Sequence, residues 1–239
     1  MLFDFGGTLD ADGIHWAPRF YGAYRAAGGR LDYPAFERLF NASDRELERL
    51  PGIKGLGFRS LVEAQAQLVC RLVPDGAGVD PGAIAQAFHA AAVATVARNR
   101  PLLDRLRGGG QGSRGGYRLG VVSNFTGNLD ACLVELDLRR CFEAVADSGV
   151  VGVSKPDPRI FSDALARLGV PPGRAWMVGD NFETDIRPAA ALGLATCWVA
   201  PPERPVPAGG GGGRGMGTAP TARIARLPDL EDVLSACTA

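Results

Sequence analysis

Apolar residues along this chain follow two rhythms, and the change between them comes near residue 100. Before it, apolar positions recur at three- and four-residue spacing, which predicts helices over 17–27, 34–50, 59–73 and 81–99. Pro34 falls in a first helical turn, where a missing N–H is harmless, and Asp80-Pro81 offers an N-cap followed by a proline at the first helical position. Four such helices joined by short loops predict a small bundle. After residue 100, short apolar runs alternate with helical stretches. Strands are expected at 117–122, 142–146, 175–178 and 195–199, and helices at 102–107, 128–137, 158–168, 183–191 and 227–234. Another apolar run, Met1 to Phe3, opens the chain and reads as a buried strand. Strands alternating with helices imply right-handed crossovers and a doubly wound, mostly parallel sheet covered on both faces, so the expected class is α/β with an inserted helical unit. A central strand usually runs about five or six residues, yet only three precede Asp4. Either that strand is short at its start, or the recorded start lies downstream of the natural one.

Composition narrows the function classes. Hydrophobic residues at 46% and charged residues at 22% describe an ordinary globular protein, and 239 residues suffice for one large domain or two small ones. Lys plus Arg balances Asp plus Glu at 26 each, which argues against nucleic-acid and anionic-membrane partners. No apolar stretch approaches the roughly 20 residues that cross a bilayer. The N-terminus has no basic region leading into an apolar core, so no secretory signal is expected. Five cysteines (Cys70, Cys132, Cys141, Cys197, Cys237) lack metal-ligand spacing and read as small buried hydrophobes in a reducing cytoplasm. Of the 33 glycines, 13 gather in two tracts, 108–116 and 207–217. Neither tract leads from a strand straight into a helix, so both read as solvated loop insertions rather than phosphate cradles.

The chemistry gathers at predicted strand ends. The first strand stops at Asp4, and Phe5-Gly6-Gly7 turns the backbone. A carboxylate there sits where open α/β sheets bind ligands, and its desolvation calls for a cation; the bland alternative is an Asp-Gly turn with no chemistry. Gly120-Val121-Val122-Ser123-Asn124 is an apolar run ending in a hydroxyl. Ser154-Lys155-Pro156-Asp157-Pro158 sets one lysine in a rigid loop before a helix. Trp176 to Asp185 is an apolar strand ending in Asp180 and Asp185, which alone could be a helix N-cap and a first-turn acid. Together, in this order, the four motifs resemble the haloacid dehalogenase-like (HAD) hydrolase superfamily, helical-cap type, over almost the whole chain.

That resemblance implies a Rossmann-like core formed by residues 1–13 and 98–239, with 14–97 as an inserted all-α cap that closes over the site. Within the cap, His15, Trp16, Arg19, Tyr21, Tyr24, Arg45, Lys54, Arg59 and His89 are candidates for substrate contact, each weighed against an ordinary surface or packing role. The implied activity is Mg2+-dependent hydrolysis of small phosphorylated metabolites by a cytoplasmic monomer or homodimer. Asp4 would attack phosphorus, and water would cleave the aspartyl-phosphate. Mg2+ suits phosphate oxygens and few carboxylates. By resemblance it would be held by Asp4, the Gly6 carbonyl and Asp180, with Asp185 acting through water or by pairing with Lys155. Thr8 and Ser123 hydroxyls and the Asn124 backbone N–H would bind phosphoryl oxygens, while Lys155 neutralises charge as the transition state forms.

One position departs from the family pattern. Phosphatases of this superfamily carry a second aspartate two residues after the nucleophile, as the general acid and base; here that position is Gly6. Such a group is worth about 10²–10⁴-fold, so turnover of esters with poor leaving groups should be weak. Asp10 and Asp12 lie close in sequence as substitutes. The departure keeps open phosphonate cleavage, for which Lys54 is the lone lysine before Lys155, C–halogen cleavage, and a non-catalytic relative that binds a phosphorylated ligand. C–halogen cleavage in this superfamily works without metal, which the Asp180 and Asp185 pair argues against.

Overall fold

The computed structural model describes residues 1–74, 78–109, 116–207 and 219–238. Most of both glycine tracts, at 110–115 and 208–218, lies outside the described residues. The chain opens with β1 (Leu2–Phe3) and a wide turn over Phe5–Leu9. Four helices follow: α1 (Trp16–Ala26), α2 (Tyr33–Leu47), α3 (Phe58–Leu72) and α4 (Pro81–Gly108). The rest alternates: β2 (Gly120–Ser123), α5 (Leu129–Glu135), β3 (Ala144–Asp147), α6 (Ser148–Val151), α7 (Pro158–Leu168) and β4 (Trp176–Gly179). A second wide turn, Phe182–Ile186, leads into α8 (Arg187–Ala191), then β5 (Ala195–Val199), β6 (Ala222–Ile224) and α9 (Leu230–Thr238).

All strand pairs are parallel, in the order β3-β2-β1-β4-β5-β6. Strand β1 therefore lies at the switch point, where the chain builds outward first on one side and then on the other. Ligands of open α/β sheets bind in that crevice, outside the carboxyl ends of the strands. Because side chains alternate along a strand, Leu2, Val122 and Met177 pack on one face with Ile160, Phe161 and Leu165 of α7. Phe3, Val121 and Val178 face the other way, into an apolar cluster that runs without a break into the four-helix bundle. Helix α7 shows why these elements form locally: Asp157 caps it by accepting from Arg159 N, Pro158 opens it, and Gly169 at φ 60° closes it.

The structure departs from the sequence expectations in several places. Helix α4 does not stop at Asn99; it continues through Pro101 to Gly108, and the expected boundary at 97/98 falls inside it. Pro101 forfeits one helical hydrogen bond, but Leu102, Leu103 and Leu106 just beyond it are buried, which holds the helix on course. The edge strand β6 is absent from the sequence expectations because its three residues, Ala222–Ile224, are too few for their apolar-polar-apolar alternation to stand out. Cys132, Cys141 and Cys197 are buried as expected, whereas Cys70 is half-buried and Cys237 exposed. No helix among the described residues is long and apolar enough to cross a membrane.

Candidate active site

Three strand ends converge on one buried cluster. Asp4 is placed just past β1, its backbone N–H donating to Val178 O at 2.9 Å. Ser123 ends β2 and donates its hydroxyl to Asp4 Oδ1 at 3.1 Å. Asp180 follows β4, and Asp185 lies in the next turn. Lys155 Nζ bridges the carboxylates, donating to Asp4 Oδ1 at 2.5 Å and to Asp185 Oδ1 at 2.6 Å. Oxygens of Asp4, Asp180 and Asp185 all lie within 4.8 Å of one another, and all three residues are buried.

Close backbone approach makes this possible. Gly7 has φ +97°, and a Cβ there would sit 2.5 Å from Asp180 Oδ2, so no other residue fits. Gly179 is equally confined, because its Cβ would meet Asp185 Oδ2 at 2.4 Å. The lysine loop is clasped by Asn124, whose Oδ1 accepts from Lys155 N at 2.7 Å while its Nδ2 donates to Lys155 O at 2.9 Å. Asp147, which sequence reading passed over, ends β3 and accepts from the N–H groups of Gly127, Leu129 and Gly149 at 3.0, 2.9 and 2.8 Å. It thereby fixes the loop that follows Ser123. Its signal was faint: an acid at the end of a predicted strand, without a glycine turn.

The electrostatics are unbalanced. Burial pulls the Lys155 ammonium down, but Asp185 and Asp4 together outweigh it and hold the group above the usual lysine range. Burial first, and the charges of Asp4 and Asp185 next, push Asp180 well above the ordinary carboxylate range. Asp185 is raised by burial, with Lys155 opposing. With all three carboxylates ionised, the cluster and its one lysine carry two net negative charges in a buried pocket, which a divalent cation would balance. Three hard oxygen ligands on one side, with the cavity open on the other, fit Mg2+.

Thr8 differs from its expected place. It is fully buried and donates to Asp180 Oδ1 at 3.2 Å, supporting that carboxylate instead of facing the cavity. Asp10 and Asp12 are both committed elsewhere. Asp10 is buried and accepts from Gly7 N at 2.7 Å, Trp16 Nε1 at 3.0 Å and Arg19 Nη1 at 2.7 Å. Asp12 pairs with Arg98 and accepts from Leu227 N. At Gly6 the space for a side chain is partly taken, since a Cβ would lie 3.1 Å from Trp16 Nε1.

The cluster forms the floor of a cavity of about 430 Å3. Its roof comes from α2 and α3, through Phe40, Asp44, Leu47, Glu48 and Leu61. Of the nine residues proposed from the helical segment, only His15 and Trp16 line the cavity. Arg19 is bound to Asp10, and Tyr24 and His89 pack against Phe36 and Phe58. The stem of Lys54 lies against Gly127, leaving Lys155 as the single lysine in the lining among the described residues. The roof residues were missed because their convergence on the site is tertiary; two acids four positions apart at the end of a helix were the available signal.

Residues 1–193 match the model of the haloacid dehalogenase-like hydrolase family. The chain belongs to that family. It is 37% identical over 123 residues to the pyrimidine 5'-nucleotidase YjjG of Escherichia coli, covering 51% of each chain. It is 42% identical over 87 residues to a phosphoserine phosphatase of Thermus thermophilus, covering 36% of this chain and 35% of that protein. Among solved structures, a 2-haloacid dehalogenase from Pseudomonas syringae superposes with a TM-score of 0.53 at 23% identity, over 99% of this chain and 97% of the other, a likeness of fold. The chain spans about a third to a half of the length of the curated relatives it matches.

Proposed function

We propose that this HAD-like hydrolase is a Mg2+-dependent phosphomonoesterase with Asp4 as nucleophile and the four-helix unit as its cap. The observation that carries the reading is the two-charge imbalance of the Asp4, Asp180, Asp185 and Lys155 cluster. A divalent cation balances it, and phosphoryl chemistry gives that cation a purpose. C–halogen cleavage without metal would leave both charges buried and uncompensated. Schiff-base cleavage of phosphonates needs a second amine in the cavity, and Lys54 lies outside its lining.

Bound between Asp4, the Gly6 carbonyl and Asp180, Mg2+ would neutralise phosphoryl oxygens. The protein's own groups do the rest. Asp4 attacks phosphorus, the ester P–O bond breaks, and the alkoxide takes its proton from water, since Gly6 offers none. Water then attacks the aspartyl-phosphate, releasing inorganic phosphate and restoring the carboxylate. Lys155 holds Asp4 in place and offsets charge on the phosphoryl group, with Ser123 donating beside it. Asn124 positions Lys155. The test is phosphate release from a panel of phosphomonoesters and an aryl phosphate, with Mg2+ and with chelator. Asp4→Asn should lower kcat by on the order of 10⁴ or more. Absence of metal-dependent turnover on every ester, the aryl phosphate included, would sink the reading.

A further inference from the structure

Opposite the phosphoryl end, the roof of the cavity carries two acids and no base. Asp44 lies in the last turn of α2 and Glu48 directly follows that helix, one turn on. Like charges four residues apart repel, and a helix C-terminus disfavours anions, so this placement is unfavourable on two counts. Burial of Asp44 adds a third, and together with Glu48 pushes its carboxyl up to about 6, with Gln65 and Arg45 pulling the other way. Gln65 Nε2, at 2.8 Å from Asp44 Oδ1, is its one side-chain hydrogen-bond partner among the described residues. Among the described residues, the basic side chains in the lining are Lys155, which is bound to Asp4 and Asp185, and His15, whose Nδ1 lies 3.7 Å from Asp180. Trp16, Phe40 and Phe125 line the same cavity, and aromatic walls beside carboxylates suit an alkylammonium group.

Resting on the phosphomonoesterase reading above, we propose that Asp44 and Glu48 select substrates whose alcohol portion carries an ammonium group, that is, phosphorylated amino alcohols. The phosphoryl end meets Lys155 and the metal, the ammonium meets the roof carboxylates, and Phe40, Leu47 and Leu61 pack against the carbon chain between them. A carboxylate in place of the ammonium would be repelled.

The test compares ω-aminoalkyl phosphates of two to six carbons with n-alkyl and ω-carboxyalkyl phosphates of the same length. The expected kcat/KM order in wild type is amino above alkyl above carboxyl, with amino ahead of alkyl by about tenfold at the best length. In the Asp44→Asn/Glu48→Gln double variant that ratio should collapse towards one. A wild-type preference for alkyl or carboxyalkyl esters, or an unchanged ratio in the variant, would overturn the proposal. Turnover of the aryl phosphate separates the two readings: if it is hydrolysed and the amino preference is absent, recognition alone is wrong. If no ester turns over, hydrolysis is wrong, and the same comparison read as Kd by calorimetry with Mg2+ decides recognition by itself.

Discussion

Asp44 offers a stability test that needs no substrate. Its carboxyl is pushed from 3.8 to about 6, chiefly by burial and then by Glu48. A raised carboxylate pKa means that the folded state holds its proton where the unfolded chain has released it. Below about pH 4 both states are protonated and nothing is lost. Between pH 4 and pH 6 the unfolded chain ionises first, so stability falls as pH rises, and above pH 6 the full penalty stands. Roughly two pH units correspond to about 3 kcal/mol, and solvent in the cavity should trim this to about 1–2 kcal/mol. Asn keeps the shape and can still accept from Gln65 Nε2, so Asp44→Asn removes the charge and little else. The variant should match wild type near pH 3, below both pKa values, and exceed it at pH 7.5, with Tm raised by about 2–8 °C for a chain of this size. Urea or thermal unfolding followed by circular dichroism at the two pH values reads this directly. An equal difference at both pH values, or a loss of stability at pH 7.5, would refute the argument. A gain in stability together with loss of the ammonium preference would show a carboxylate kept for its ligand at the expense of the fold.

Three further outcomes follow from the site. Mg2+ at 100 times its Kd should stabilise the protein by about 2.7 kcal/mol, and Asp180→Asn should abolish the thermal shift; an equal shift in the variant would place the ion elsewhere. Gly7→Ala should destabilise by about 1–3 kcal/mol and weaken Mg2+ binding, because φ +97° and the 2.5 Å approach to Asp180 forbid a Cβ; a neutral effect by denaturant unfolding would contradict that. Gly6→Asp should raise turnover of alkyl esters by about 10–10²-fold, less than the 10²–10⁴ of a placed acid, since Trp16 must yield first; no gain on alkyl esters would mean that the missing proton donor is not limiting.

What could be read without coordinates was what local chemistry determines. Asp4, Ser123 and Asp180 each stand at or beside a predicted strand end, and a parallel sheet brings such ends to one edge whatever the loops do, while Lys155 stands in a loop just before a predicted helix. Helix α7 was bounded to the residue because cap, proline and glycine all agree. Helix α4 was cut short because Pro101 is a local signal, while the burial of Leu102, Leu103 and Leu106 that overrides it is tertiary. Thr8 shows the same kind of dependence: a hydroxyl four residues after Asp4 can turn toward the cavity or toward Asp180, and only packing decides. The roof was beyond reach, because nothing local tells which face of α2 looks down onto the sheet.

Packing, not the backbone, is what crowds a side chain at position 6. Gly6 has φ −77° and ψ 110°, open to any residue, so glycine there is not required by conformation as it is at Gly7. The Trp16 indole stands against the space a side chain would use, with its N–H on Asp10. Asp10 also takes the Gly7 N–H and the Arg19 guanidinium, so one buried acid ties the start of α1 to the loop that follows Asp4. A second carboxylate at Gly6 would compete for the indole N–H and add a charge beside Asp10, Asp4 and Asp180. The Trp16 indole that crowds position 6 is thus the same group that helps anchor the bundle beside Asp4. On the proposed phosphomonoesterase reading, with no acid at position 6 to ease the departure of the alcohol, selectivity would rest on leaving-group quality and on how the roof holds the alcohol portion, the part proposed above for Asp44 and Glu48.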